Sequence, residues 1–167
     1  ALAGAHGDFI LDPGFPLAID EISPGCAWEH PQGEFRIDTL RTQHTLNSMA
    51  VRVETGDGVL GFTGDTGPDQ ELGPFFRGCH LLLAECSHPK GREMETHLTP
   101  EGLAAIAGVA TPELLVPVHC YPSLDPEELP KLLGEAGYYG WVLTGWDGLG
   151  LDLTHGHVEV LAPRTIQ

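Results

Sequence analysis

Basic side chains are scarce in this sequence. Eight lysines and arginines face 24 aspartates and glutamates, for a formal net charge of −16 at pH 7. Such a balance argues against an extended nucleic-acid surface, which needs clustered Lys and Arg to displace counterions. A phosphate substrate stays open, because bound cations can bring positive charge to one point. Long apolar runs are missing too: none approaches the roughly 18 residues of a membrane span, and no basic-then-apolar leader opens the chain. No membrane partner is therefore expected. The four cysteines (Cys26, Cys79, Cys86 and Cys120) form no CxxC pair and no zinc-ribbon or finger spacing. They read as reduced thiols of a cytoplasmic protein, most of them small buried residues. The chain opens at Ala1 with no Met, and a missing start is expected.

What is present suits one α/β domain. A chain of 167 residues can bury a core, and 41% hydrophobic with 19% charged residues is ordinary for a globular protein. The 22 glycines and 14 prolines predict many turns between short strands. Strands are expected over 17–22, 34–42, 48–54, 59–63, 80–85, 114–118, 141–144, 148–153 and 157–161, with Asp57-Gly58 in a hairpin turn. One helix is predicted after Thr99 as cap and Pro100 at the first position, with Leu103, Ile106, Ala107 and Ala110 as its apolar stripe. Asp125-Pro126-Glu127-Glu128 opens another, carrying Leu129, Leu132, Leu133 and Ala136 and stopping at Gly137. Residues 68–76 give only a turn or two. No repeat or linker interrupts 1–167.

On this map four residues suited to a metal site fall just past strand ends. His44 follows the strand ending near Thr42, and Asp65 follows Thr63 within Gly64-Asp65-Thr66-Gly67. His119 follows the strand of Leu114–Val118, and His97 lies before the Thr99 helix. Strand exits fix a backbone while leaving side chains free to converge. Two imidazoles and a carboxylate can hold Zn²⁺ with one position open, and Gly64 and Gly67 would let the backbone approach an ion. Taken singly, a His after a strand is more often a hydrogen-bonded structural residue than a ligand, and Gly64-Asp65-Thr66-Gly67 reads as an ordinary turn.

Their order carries more. His44, Gly64-Asp65-Thr66, Ala84-Glu85-Cys86, His97-Leu98-Thr99 and Val116-Pro117-Val118-His119, followed by Val142-Leu143-Thr144-Gly145-Trp146-Asp147-Gly148, resemble the ribonuclease Z-type branch of the metallo-β-lactamase superfamily over residues 34–153. The resemblance implies an αββα sandwich, two mixed sheets face to face with helices outside, of which this chain supplies mainly the C-terminal half. It implies that His44 binds one metal, His119 binds another and Asp65 bridges them, the ions being zinc, with manganese as the alternative. His97 would protonate the leaving oxygen, with Glu85 orienting it. Two cations roughly 3.5–4 Å apart lower the pKa of a shared water towards 7 and offset charge on the attacked phosphorus. An alkoxide leaves poorly until protonated, a task that suits a carboxylate-positioned His. For Glu85 and His97 the alternative is a solvated salt bridge near a loop.

Two departures qualify the resemblance. The superfamily signature His-x-His-x-Asp-His is absent. His6 and His30 are isolated and read as exposed polar residues, and His155-Gly156-His157 reads as a strand-edge turn. We expect the missing motif in a segment upstream of Ala1 or on another chain, a homodimer partner included. Transfer-RNA-processing members also carry a long exosite arm between the positions matched by His44 and Asp65, where only 20 residues intervene here. Together with the charge, this favours a small phosphodiester, such as a cyclic nucleotide, or a nucleic-acid 3′ end over transfer RNA. The alternatives are a thioester, lactone or β-lactam hydrolase of the same fold, and a non-catalytic half-domain.

Overall fold

Alternating apolar and polar side chains make β2 (Phe35–Arg41) and β3 (Met49–Thr55) an antiparallel pair, with Ile37 opposite Val53 and Thr39 opposite Val51. A computed structural model describes residues 19–161. Ahead of this pair, the three-residue β1 (Ala27–Glu29) adds to β2, and Gly56–Gly58 turns β3 into β4 (Val59–Phe62). The chain then crosses in parallel to β5 (Leu81–Glu85), β6 (Leu114–Val118) and β7 (Trp141–Val142). The seven strands lie in chain order. β5 and β6 are apolar runs without alternation, as strands covered on both faces require.

The crossovers contain α1 (Leu72–Phe75), α2 (Pro100–Ala110) and α3 (Leu129–Glu135). Successive right-handed crossovers that step one way along a sheet place their helices on one face. That face holds the main core, where Leu103, Ile106 and Ala107 of α2 meet Leu82 and Leu115 of the sheet, joined by Leu72, Phe76, Leu129 and Leu133. α2 starts as expected: Thr99 is extended at φ −102°, its side chain accepts from the Gly102 amide, and Pro100 follows. Asp125 caps a 3₁₀ turn (Pro126–Glu128) that leads into α3.

On the opposite face, Leu81, Leu114 and Val116 are covered by the hairpin of β8 (Gly150–Thr154) and β9 (His157–Leu161) through Leu151, Leu153 and Val158. His155 and Gly156 form its turn at φ 52° and 78°, the two positive values that a tight hairpin turn needs. Beyond the hairpin the same face continues through Leu60, Val53, Ile37 and Val51, all half-buried, to Phe62, which is 45% exposed.

Three expectations need correction. Of the strand expected over 17–22, residues 19–22 are irregular, and the remainder lies outside the described residues, as does His6. The strand expected over 141–144 is only two residues long. β1 has no alternating pattern long enough to announce it; its pairing with β2 creates it.

Candidate metal centre

β2 runs antiparallel to β3, β3 runs antiparallel to β4, and β4, β5 and β6 are parallel. β2, β4, β5 and β6 therefore point the same way and end at one edge of the sheet. That common edge is why residues 75 positions apart meet: His44, Asp65, Glu85 and His119 all sit at or just past strand C-termini, where ligands of open α/β sheets gather.

Asp65 stands between two imidazoles. His44 Nε2 is 3.9 Å from its Oδ2, and His119 Nε2 is 3.7 Å from its Oδ1. Neither approach is short enough for a hydrogen bond. Two ligands on one tetrahedral Zn²⁺, each about 2.1 Å from it, lie about 3.4 Å apart, so either gap admits an ion after a shift of a few tenths of an ångström. The donor types suit zinc or manganese. Among the described residues no group of three His, Cys, Asp or Glu side chains surrounds a single point. The three donors form two pairs that share one carboxylate, so an ion held at either pair would have two ligands.

The surroundings hold these pairs in place. His44 Nδ1 is 3.3 Å from Ser48 Oγ; donation from Nδ1–H to that oxygen leaves Nε2 as a lone-pair donor towards Asp65. The Thr42 hydroxyl donates to the Asp65 carbonyl at 2.8 Å, and the Gly67 amide to the Gln43 carbonyl at 2.9 Å, which ties the His44 and Asp65 loops together. Gly64 and Gly67 also answer to packing. A Cβ on Gly64 would lie 2.7 Å from the Met49 carbonyl, and one on Gly67 would collide with the Glu95 carbonyl. They allow loops to pack on each other. His119 adopts φ 59°, a left-handed conformation that costs a non-glycine residue free energy and collects at functional sites.

Behind the cluster lies Glu85, 1% exposed. Its carboxylate accepts four hydrogen bonds: Oε1 from the Thr66 amide (2.7 Å) and His97 Nδ1 (2.9 Å), Oε2 from the Ser87 hydroxyl (2.7 Å) and the Leu98 amide (3.1 Å). Four donors offset the desolvation of a buried charge. With His97 only 8% exposed, the solvated salt bridge is ruled out; this pair is buried. Donation from His97 Nδ1 leaves Nε2, on the opposite side of the ring, for other partners. The His97 ring is central in the cluster, with centroids of His44 at 5.0 Å, His119 and Tyr121 at 5.6 Å and His88 at 5.8 Å.

Sequence reasoning missed Ser48, Ser87, His88 and Tyr121. Ser87 Oγ also lies 3.0 Å from the His119 carbonyl, so one hydroxyl links the buried pair to the His119 loop. No spacing rule marks such a serine. His30 is half-buried against Phe35 (ring centroids 4.8 Å apart) and 3.3 Å from Glu34, and not the exposed residue expected. The cysteines are free, with Cys79 and Cys86 buried. Burial pushes the Cys79 thiol up to about 11. Burial and the nearby Glu85 carboxylate also raise Cys120, which keeps this neighbour of His119 a protonated thiol at neutral pH.

The family described as the beta-lactamase superfamily domain matches residues 5–120. In fold the chain is similar to the metallo-beta-lactamase fold protein YhfI from Bacillus subtilis, at 21% identity and a TM-score of 0.68 over 83% of this chain and 54% of that one. It is also similar to unliganded yeast PDE1 (15% identity, TM-score 0.56, 84% and 49% covered) and to a long-form RNase Z from yeast (14%, 0.52, 66% and 16% covered). It thus spans about half the length of the first two. No curated protein is significantly similar in sequence.

Proposed function

The chain belongs to the beta-lactamase superfamily, and from that membership we propose that it carries part of the active site of a metal-dependent hydrolase acting on small phosphodiesters. One observation carries this reading: His44 and His119 face different oxygens of the same Asp65 carboxylate, the arrangement a carboxylate bridging two ions requires. A pair of divalent cations would supply Lewis acidity, acidifying a water and offsetting charge on the attacked phosphorus. Among the described residues no Lys or Arg pairs with Asp65 or Glu85.

His97 serves as the acid. Its Nδ1–H is held by Glu85 at 2.9 Å, which fixes the ring. The Nε2 proton then passes to the leaving oxygen as its bond to phosphorus breaks. This buried pair favours a phosphodiester over a thioester, since a thiolate leaves without protonation. The remaining metal ligands come, in this proposal, from a segment outside these 167 residues or from a second copy of the chain. The partly exposed apolar row from Leu60 to Phe62 offers such a segment a surface. Among the described residues no helix is long and apolar enough to cross a membrane, and the free thiols fit a cytoplasmic setting.

Turnover of bis(p-nitrophenyl) phosphate by the complete protein loaded with zinc or manganese tests the reading. His97→Ala is expected to lower kcat by roughly 10²–10⁴-fold, the usual contribution of general acid catalysis, while bound metal stays the same. Absence of phosphodiester turnover in the wild type, with thioester turnover that survives His97→Ala, would replace this reading with the thioester hydrolase.

A further inference from the structure

If His97 protonates the leaving oxygen, the leaving group must lie beside the His97 ring, among its neighbours. One of these, Tyr121, is aromatic and partly exposed. Its ring centroid is 5.6 Å from His97 and 5.4 Å from His119, and 38% of the residue is exposed. It is therefore beside both the acid and a metal-facing imidazole, with ring surface available to a ligand. The ring is also braced. His88 packs edge to face on it at 4.8 Å and 82°, and the Tyr121 amide donates to the Ser87 carbonyl at 3.1 Å. His88 has both ring nitrogens buried with no hydrogen-bond partner, so its fit to the site rests on packing against these rings. A flat, fixed aromatic surface at this place binds flat aromatic groups by stacking, largely regardless of their hydrogen-bonding pattern.

We infer that Tyr121, braced by His88, is a leaving-group subsite that selects phosphodiesters whose departing alcohol carries an aromatic ring, an aryl alcohol or a nucleoside. The inference rests on the phosphodiesterase reading above and adds a substrate class to it. In the reaction, water gives up a proton to solvent and forms the new bond to phosphorus, and the bond from phosphorus to the leaving oxygen breaks with its electron pair. That oxygen takes the His97 Nε2 proton while its ring stays stacked on Tyr121.

Methyl phenyl phosphate and methyl hexafluoroisopropyl phosphate test this, because their leaving groups are of similar acidity and only one is aromatic. With the complete metal-loaded protein, the phenyl ester is expected to have the lower KM. Tyr121→Ala should reduce the aryl-over-alkyl preference about tenfold through KM, with kcat much less affected, as loss of one stacking partner implies. Tyr121→Phe keeps the ring and should keep the preference. An unchanged ratio in Tyr121→Ala, or a loss in Tyr121→Phe as large as in Tyr121→Ala, overturns the stacking subsite while phosphodiester turnover stands. If the wild type hydrolyses neither ester, the phosphodiesterase reading fails by itself, and calorimetric titration with phenyl phosphate and methyl phosphate decides the subsite. Tighter phenyl phosphate binding that Tyr121→Ala abolishes upholds it; equal binding of the two overturns it.

Discussion

Replacing Asp65 with asparagine is expected to strip the metal from the complete protein and to lower hydrolysis by roughly 10³-fold or more while leaving the fold intact. The reasoning is geometric. Two imidazole nitrogens face the two carboxylate oxygens at 3.9 and 3.7 Å, so an amide of the same shape removes the shared negative charge and replaces one donor oxygen with an NH₂ group that cannot ligate. Loss of a partner that merely orients a ligand costs about 10–100-fold in metal affinity or activity, and loss of the ligand both ions share should exceed that. Stability should change little. The Asp65 side chain is 42% exposed, and its loop is tied down through the backbone carbonyl, which accepts from Thr42. Metal content by elemental analysis and melting temperature, measured on the same sample, separate the two effects.

Glu85→Ala should do the reverse and unfold the protein far more readily. The carboxylate is 1% exposed and accepts from two amides, one hydroxyl and one imidazole. Truncation leaves the two amides and the imidazole without that acceptor in a buried site, while the Ser87 hydroxyl can turn to the His119 carbonyl. Removing one member of a buried charged network costs about 3–5 kcal/mol, and each kcal/mol lowers Tm by about 2–4 °C in a domain of this size. A fall in Tm of roughly 10 °C or more by circular dichroism is therefore expected. Glu85→Gln should recover only part of it, because the amide nitrogen cannot accept from the donors now facing Oε2 or Oε1. A melting temperature within about 2 °C of wild type in Glu85→Ala would mean that the network stabilises little, contrary to the magnitude expected for buried pairs.

How much of this was legible in the sequence depended on the range of the interactions. The α2 start was readable because Thr99, Pro100 and Glu101 act on their own helix. The placement of His44, Asp65 and His119 was readable because each follows a strand with a clear pattern, and strands running the same way end together. β1 was not, since three residues show no period and only pairing with β2 defines it. The His97 loop has no periodic signal, so its approach to Glu85 came from the family resemblance and not from pattern. The packing constraint on Gly67 was hidden for a similar cause: it depends on the Glu95 carbonyl, 28 positions away, and no local rule connects them. Ser87 and Tyr121 are ordinary residues in sequence. They gain meaning only when β5 and β6 bring residues 87, 97, 119 and 121 to one edge.

The most direct test is zinc-edge anomalous diffraction from crystals of the complete protein grown with zinc. The expected result is two peaks roughly 3.5–4 Å apart, one within about 2.2 Å of His44 Nε2, the other within the same distance of His119 Nε2, and Asp65 bonded to both. Zinc bound elsewhere, with His44 and His119 left unligated, would contradict the assignment of Asp65 as the bridge and remove the basis for a hydrolytic site here.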